Sequence, residues 1–148
     1  MPREFKTILC PTDFSDESAR ALAYALRFAK NSDGTILLAH IIHIPTEHYR
    51  EPSGQVLGYD QLRTQMQRQL EETRDQQLQG YAKVELLLEL GDPFEQLMEI
   101  ATQRSADLIT ISTHGRSGIT HLIIGSVAEK IIRHAPCPVF VVRRGAAV

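Results

Sequence analysis

The chain has 148 residues, a length that suits one domain with a single hydrophobic core. Its make-up is that of a soluble globule, 43% hydrophobic and 23% charged, and a formal charge of -2 excludes a broad basic surface for gripping nucleic acid. The N-terminus lacks the uninterrupted apolar stretch of a signal peptide, no later run approaches a membrane span, and Cys10 and Cys137 share no metal-ligand spacing; a cytoplasmic protein with two reduced thiols is expected.

Strand and helix signals then alternate along the chain. Lys6–Cys10 is a short apolar run stopped by Pro11. From Asp16 to Asn31 the period changes, with Ala19, Leu22, Ala25, Leu26 and Ala29 at helical spacing. Ser15 is placed to cap that helix, Asp16 and Glu17 suit its positive end, and Gly34 lies just beyond it. Thr35–Ile42 is nearly all apolar, as a strand covered on both faces must be. Pro45 to Gly58 reads as a polar loop, and Asp60 to Gln79 as a long solvated helix with Leu62, Met66, Leu70 and Leu78 on one side. Lys83–Leu90 is a third strand. Gly91-Asp92-Pro93 opens the next helix, with Asp as cap and Pro at the first helical position, and Phe94, Leu97, Met98 and Ala101 on its buried face. Asp107–Ser112 is strand four. A glycine-bearing loop leads to a helix with Val127, Ala128, Ile131 and Ile132 inward; Pro136 and Pro138 end it, and Val139–Arg143 is strand five. Five strands joined by helices of this length imply right-handed crossovers and a parallel sheet: one doubly wound α/β domain over residues 1–148, without internal repeat or linker.

Ligands of such sheets bind beyond the carboxyl ends of the strands, where the strand order reverses. Two strand ends here differ from ordinary turns. Pro11-Thr12-Asp13-Phe14-Ser15 follows strand one; Ser112-Thr113-His114-Gly115-Arg116-Ser117-Gly118 follows strand four, with Gly125-Ser126 at the next helix start. Gly115 lets backbone amides approach an anion without a Cβ in the way, Gly125-Ser126 offers N–H groups and a hydroxyl at a positive helix end, and Arg116 adds charge. A tight strand-to-helix loop would use the same glycines, and the two readings stand about even on the glycines alone. No Gly-Lys-Ser/Thr is present, so this is not a Walker P-loop. Gly115-Arg116-Ser117-Gly118 has the form of a KH loop, but an acidic chain with parallel strand–helix alternation does not fit that module.

Taken together, these segments resemble the universal stress protein family over nearly the whole chain. The carriers are Gly115, a nine-residue spacer and Gly125-Ser126-Val127 leading into Ala128–Val139; the opening Ile8-Leu9-Cys10-Pro11-Thr12-Asp13-Phe14-Ser15; and His40-Ile41 at the end of strand two. The resemblance implies a five-stranded parallel sheet, doubly wound in the order 3-2-1-4-5 with helices on both faces. It implies ATP or ADP as ligand, with the Mg or Mn that members often hold at the phosphates. Asp13 would lie by the ribose and phosphates, Pro11 and Thr12 would line the pocket, and the backbone of Ile41 would read the adenine edge. Ile111 and Ser112 would complete the pocket, with Gly115, Arg116, Gly125, Ser126 and Val127 around the phosphates. A homodimer through Val139–Arg143 is implied as well, and it would cover an open apolar edge strand. One departure matters: members that bind ATP usually carry Gly-x-x-Gly before the spacer, and Ser112 stands where the first Gly belongs.

Plainer roles compete for several of these residues. Asp13 lies where a helix cap can lie, although Ser15 is the better-placed cap. His114 either touches phosphate or turns the chain. His40, His43 and His48 straddle a strand end and a loop with no carboxylate pattern and read as unrelated surface or core residues, while His121 and His134 read as solvated. No nucleophile has an identifiable base and no paired carboxylates are present, so weak ATP hydrolysis is the most the chain supports. A receiver domain would need clustered acids after strand one and a Lys after strand five, where this chain has Asp13 and Arg143-Arg144. The reading is a dimeric binding or signalling module, with an unidentified protein client in view and no nucleic acid or membrane partner. The alternative is an adaptor of the same fold that binds no nucleotide, with Ser112 as its argument.

Overall fold

The computed structural model describes residues 4–43, 58–114 and 124–143. Strands and helices alternate through them: β1 Thr7–Pro11, α1 Asp16–Ser32, β2 Thr35–Ile42, α2 Tyr59–Gln77, β3 Val84–Leu90, α3 Pro93–Gln103, β4 Leu108–Ser112, α4 Ser126–His134 and β5 Val139–Val142. Every strand pair is parallel, and the order is β3-β2-β1-β4-β5, as expected.

The strands are apolar on both faces because each face meets helices. Successive side chains of a strand point to opposite sides, and the core divides accordingly. Ile8, Cys10, Ile36, Leu38, Leu108 and Val142 pack with Leu22, Ala25 and Leu26 of α1 and Leu70 of α2. Leu9, Leu37, Ala39, Ile41, Ile109 and Ile111 pack with Leu97 and Ile100 of α3 and Ala128 and Ile131 of α4.

Local chemistry sets most helix ends. Ser15 Oγ accepts from the Ser18 N–H at 3.2 Å, and Asp92 Oδ1 accepts from the Glu95 N–H at 2.9 Å with Pro93 in the first turn. Beyond α1, a Cβ at Gly34 would stand 2.3 Å from the Phe5 carbonyl oxygen, so glycine is required there by the close passage of another chain segment.

Beyond one-residue shifts at element ends, two details differ from the sequence reading. Helix α2 starts at Tyr59 and stops at Gln77, because Leu78 leaves the helix as its buried C-cap. Ile132 is exposed rather than inward: α4 rests on the sheet along the narrow stripe of Val127, Ala128 and Ile131, and the next residue is turned about 100° away from that stripe. Of the polar loop Pro45–Gly58, only Gly58 lies among the described residues.

Candidate functional site

The ladder between β1 and β4 pairs Ile8 with Leu108 and Leu9 with Ile109. Beyond it the two strands attach to different halves of the sheet. Thr12 N–H donates to the Ala39 carbonyl on the β2 side at 2.8 Å, whereas Thr113 N–H donates to the Val142 carbonyl on β5 at 3.1 Å. A cavity of about 330 Å³ opens at this parting, at the carboxyl ends of the strands and at the reversal of strand order.

Its walls come from five parts of the chain. Pro11, Thr12, Asp13 and Ser18 line one side, with Ala39, His40 and Ile41 from β2 and Pro93 and Leu97 from α3. Ile111, Ser112, Thr113 and His114 follow from β4, and Gly125, Ser126, Val127, Ala128 and Ile131 from the start of α4. Pro11, Thr12, Asp13, Ile41, Ile111, Ser112, Gly125, Ser126 and Val127, singled out from sequence, therefore share one cavity. Gly115 and Arg116 lie outside the described residues, as do His48, His121 and Arg144.

The β1–α1 loop is closely bonded. Phe14 holds a left-handed backbone, φ 65°, uncommon for a bulky residue. Its N–H donates to Thr12 Oγ1 at 3.0 Å, and the Ser15 N–H donates to Asp13 Oδ1 at 3.0 Å. The Ser15 hydroxyl also donates to Asp13 Oδ1. Ser18 Oγ donates to the Ser15 carbonyl at 2.9 Å and accepts from Thr12 Oγ1 at 3.1 Å. Asp13 thus braces the capping serine without being the cap, and it is the one carboxylate among the described residues of the lining.

On the opposite wall, Ser112 is the last residue of β4, in register with Val142. Its φ is not among the positive ones, and its hydroxyl donates to the His114 carbonyl at 2.8 Å. Ordinary strand geometry holds this position, so no glycine is needed for the backbone to pass. His114 is buried, with Nδ1 against Thr113 Oγ1 at 2.9 Å. Gly125 is the N-cap of α4, at φ -59° and ψ 152°, and α4 has no side-chain cap. The positive end of this helix therefore meets the cavity with backbone donors that no capping side chain occupies. Among the described residues no Lys or Arg joins the lining, and no cluster of three or more His, Cys, Asp or Glu is placed to hold a metal ion.

Cys10, one residue before the lining begins, is not a nucleophile. Burial, the largest cause, pushes its thiol up to about 12. The sequence reading did not assign His40, Ser18, Pro93 or Leu97 to the site. His40 had a signal, since it precedes Ile41 at the same strand end. Pro93 and Leu97 had none, because only the packing of α3 brings them there.

Fold and cavity define the class: a doubly wound α/β protein with a ligand crevice at its topological switch point. The model of the universal stress protein family matches residues 4–143, and the chain belongs to that family. Universal stress protein MJ0531 of Methanocaldococcus jannaschii is 30% identical over 141 residues, spanning 95% of this chain and 83% of that protein. The solved structure of protein MJ0577 from the same organism is 27% identical, with a TM-score of 0.82 over 98% of this chain and 100% of the other. A universal stress protein solved in complex with cAMP is 25% identical, with a TM-score of 0.72 over 95% and 98% of the two chains. Among the described residues, no helix is long and apolar enough to cross a membrane.

Proposed function

We propose that this protein is a single-domain, cytoplasmic universal stress protein that binds ATP or ADP in the cavity between β1 and β4 and works as a homodimeric signalling or stress-response module. The observation that carries the reading is the parting of β1 and β4 beside the N-terminus of α4. This arrangement offers an apolar slot, a carboxylate and a set of backbone donors around one space.

The lining fits a nucleotide in its chemistry. Ala39, Ile41, Leu97 and Ile111 suit the flat apolar face of a base, and Asp13 suits ribose hydroxyls. The Ser126 and Val127 N–H groups suit phosphate oxygens at a helix N-terminus, and Gly125, whose N–H is held by the Thr113 carbonyl, leaves room beside them. Bound phosphates would bring a Mg or Mn ion with them, with Asp13 as the nearby carboxylate. The relative solved with cAMP supports an adenine nucleotide as the ligand class. Binding is favoured over catalysis, since the described residues of the lining offer no paired carboxylates and the nearby thiol is buried. The open side of β5 supports the dimer: Val139, Phe140 and Val141 are half-buried on a strand bonded to β4.

The test is to identify any nucleotide carried through purification and then to titrate ATP with Mg²⁺ by calorimetry, with Asp13→Ala and Gly125→Val as variants. Among the described residues, a Cβ at Gly125 meets only the Thr113 carbonyl oxygen, at 3.4 Å, an ordinary contact. A loss of binding of about tenfold or more in both variants is expected, at unchanged melting temperature in Gly125→Val and with a fall of a few degrees in Asp13→Ala, whose carboxylate also braces the capping Ser15. No bound nucleotide and no heat at millimolar ATP would overturn the reading and favour an adaptor that acts by partner capture alone.

A further inference from the structure

The β1–α1 loop holds a strained shape that needs an external support. Phe14 at φ 65° holds a left-handed conformation that a bulky residue keeps only when its surroundings impose it. Its own hydrogen bonds hold the turn together, and the Thr12 N–H, donating to the Ala39 carbonyl, ties the start of its backbone to β2. The Thr12 carbonyl and the Phe14 ring take a further, side-chain tie. That tie comes from β2: His40 Nδ1 lies 2.7 Å from the Thr12 carbonyl oxygen across 28 residues of chain, and the His40 ring packs against Phe14 with centroids 4.6 Å apart. A carbonyl oxygen only accepts, so Nδ1 carries the proton of this bond.

We propose that His40 is the positioning residue of the site: its Nδ1–H, held on the Thr12 carbonyl, locks the β1–α1 loop in the strained form that presents Asp13 to the cavity. His40 acts on the ligand through that loop and not by chemistry of its own. The loop claim stands on geometry alone, and the ligand claim rests on the nucleotide reading above.

The substitutions are His40→Leu, which removes the donor, and His40→Asn, whose side-chain amide puts an N–H where Nδ1 stands. Amide hydrogen exchange is read at Phe14 and Ser15, whose N–H groups bond Thr12 Oγ1 and Asp13 Oδ1, with Leu37 and Leu38 as core references. His40→Leu is expected to speed exchange at Phe14 and Ser15 about tenfold and leave the references unchanged. His40→Asn is expected to stay within about threefold of the native chain. ATP titration should follow the same order, with about tenfold weaker binding for Leu and rescue by Asn. Native exchange in His40→Leu, or equal loss in both variants, overturns the proposal. Should His40→Leu fail to fold, ring-nitrogen NMR of the native protein decides: a proton on Nδ1 is expected, and a proton on Nε2 alone overturns it. If the native chain takes up no ATP, the nucleotide reading falls, while the exchange and NMR results still judge the role of His40.

Discussion

Cys10 makes the alkaline stability of this fold predictable. The thiol is fully buried on β1, and burial raises it from 9.0 to about 12. The folded chain therefore holds this proton more tightly than the unfolded chain does. Below about pH 8 both states keep it and the thiol has no effect on stability; above the unfolded value only the unfolded chain releases it, so stability falls as pH rises from 9 to 12. Three units correspond to about 4 kcal/mol in full, and at pH 10.5 about 2 kcal/mol of this is already lost. Urea unfolding of the native chain and of Cys10→Ala at pH 7.5, 9.5 and 10.5 isolates the effect, since the tyrosines and lysines titrate alike in both. The stability gap between the two proteins should shift by about 2 kcal/mol against the native chain over that range. A thiol reagent at pH 8 should label half-buried Cys137 in the folded protein and reach Cys10 only in denaturant. A gap that stays constant to pH 10.5, or labelling of both thiols in one fast step, would refute the reasoning.

Two further substitutions probe the frame around the site. Gly34→Ala drives a Cβ to 2.3 Å from the Phe5 carbonyl oxygen, and backbone must move to admit it; a loss of about 1–3 kcal/mol is expected, read by calorimetry as a fall of roughly 3–10 °C in Tm. Asp92→Ala removes the cap of α3, and denaturant unfolding should register about 1 kcal/mol, with Asp92→Ser recovering most of it.

The readable parts of this chain were those whose physics is local. Thr35–Ile42 was found with both ends correct because a doubly covered strand is an unbroken apolar run between polar neighbours. Ser15 and Asp92 were legible as caps because a capping bond spans only three residues. The pocket residues came from the spacing of Gly115, Gly125 and Ser126 and the opening Pro11-Thr12-Asp13, short motifs that carry a family resemblance. Ser112 shows the limit of such motifs. It departs from the pattern in one letter, yet its backbone is ordinary strand and its hydroxyl bonds the His114 carbonyl.

Tertiary structure decided the rest. Ile132 fits the apolar period of α4 and is still exposed, because the width of the covered stripe depends on what packs against the helix. His40 meets Thr12 from 28 residues away, and Pro93 and Leu97 reach the cavity only through the docking of α3. The cavity itself exists because β1 turns to β2 and β4 to β5 where their own ladder ends, although those two strands lie about a hundred residues apart and are tied at their other end by Asp107 Oδ2 accepting from the Lys6 and Thr7 N–H groups. Periodicity and capping act over a few residues; which strands become neighbours, and where they separate, follows from how two apolar faces are shared across the whole sheet.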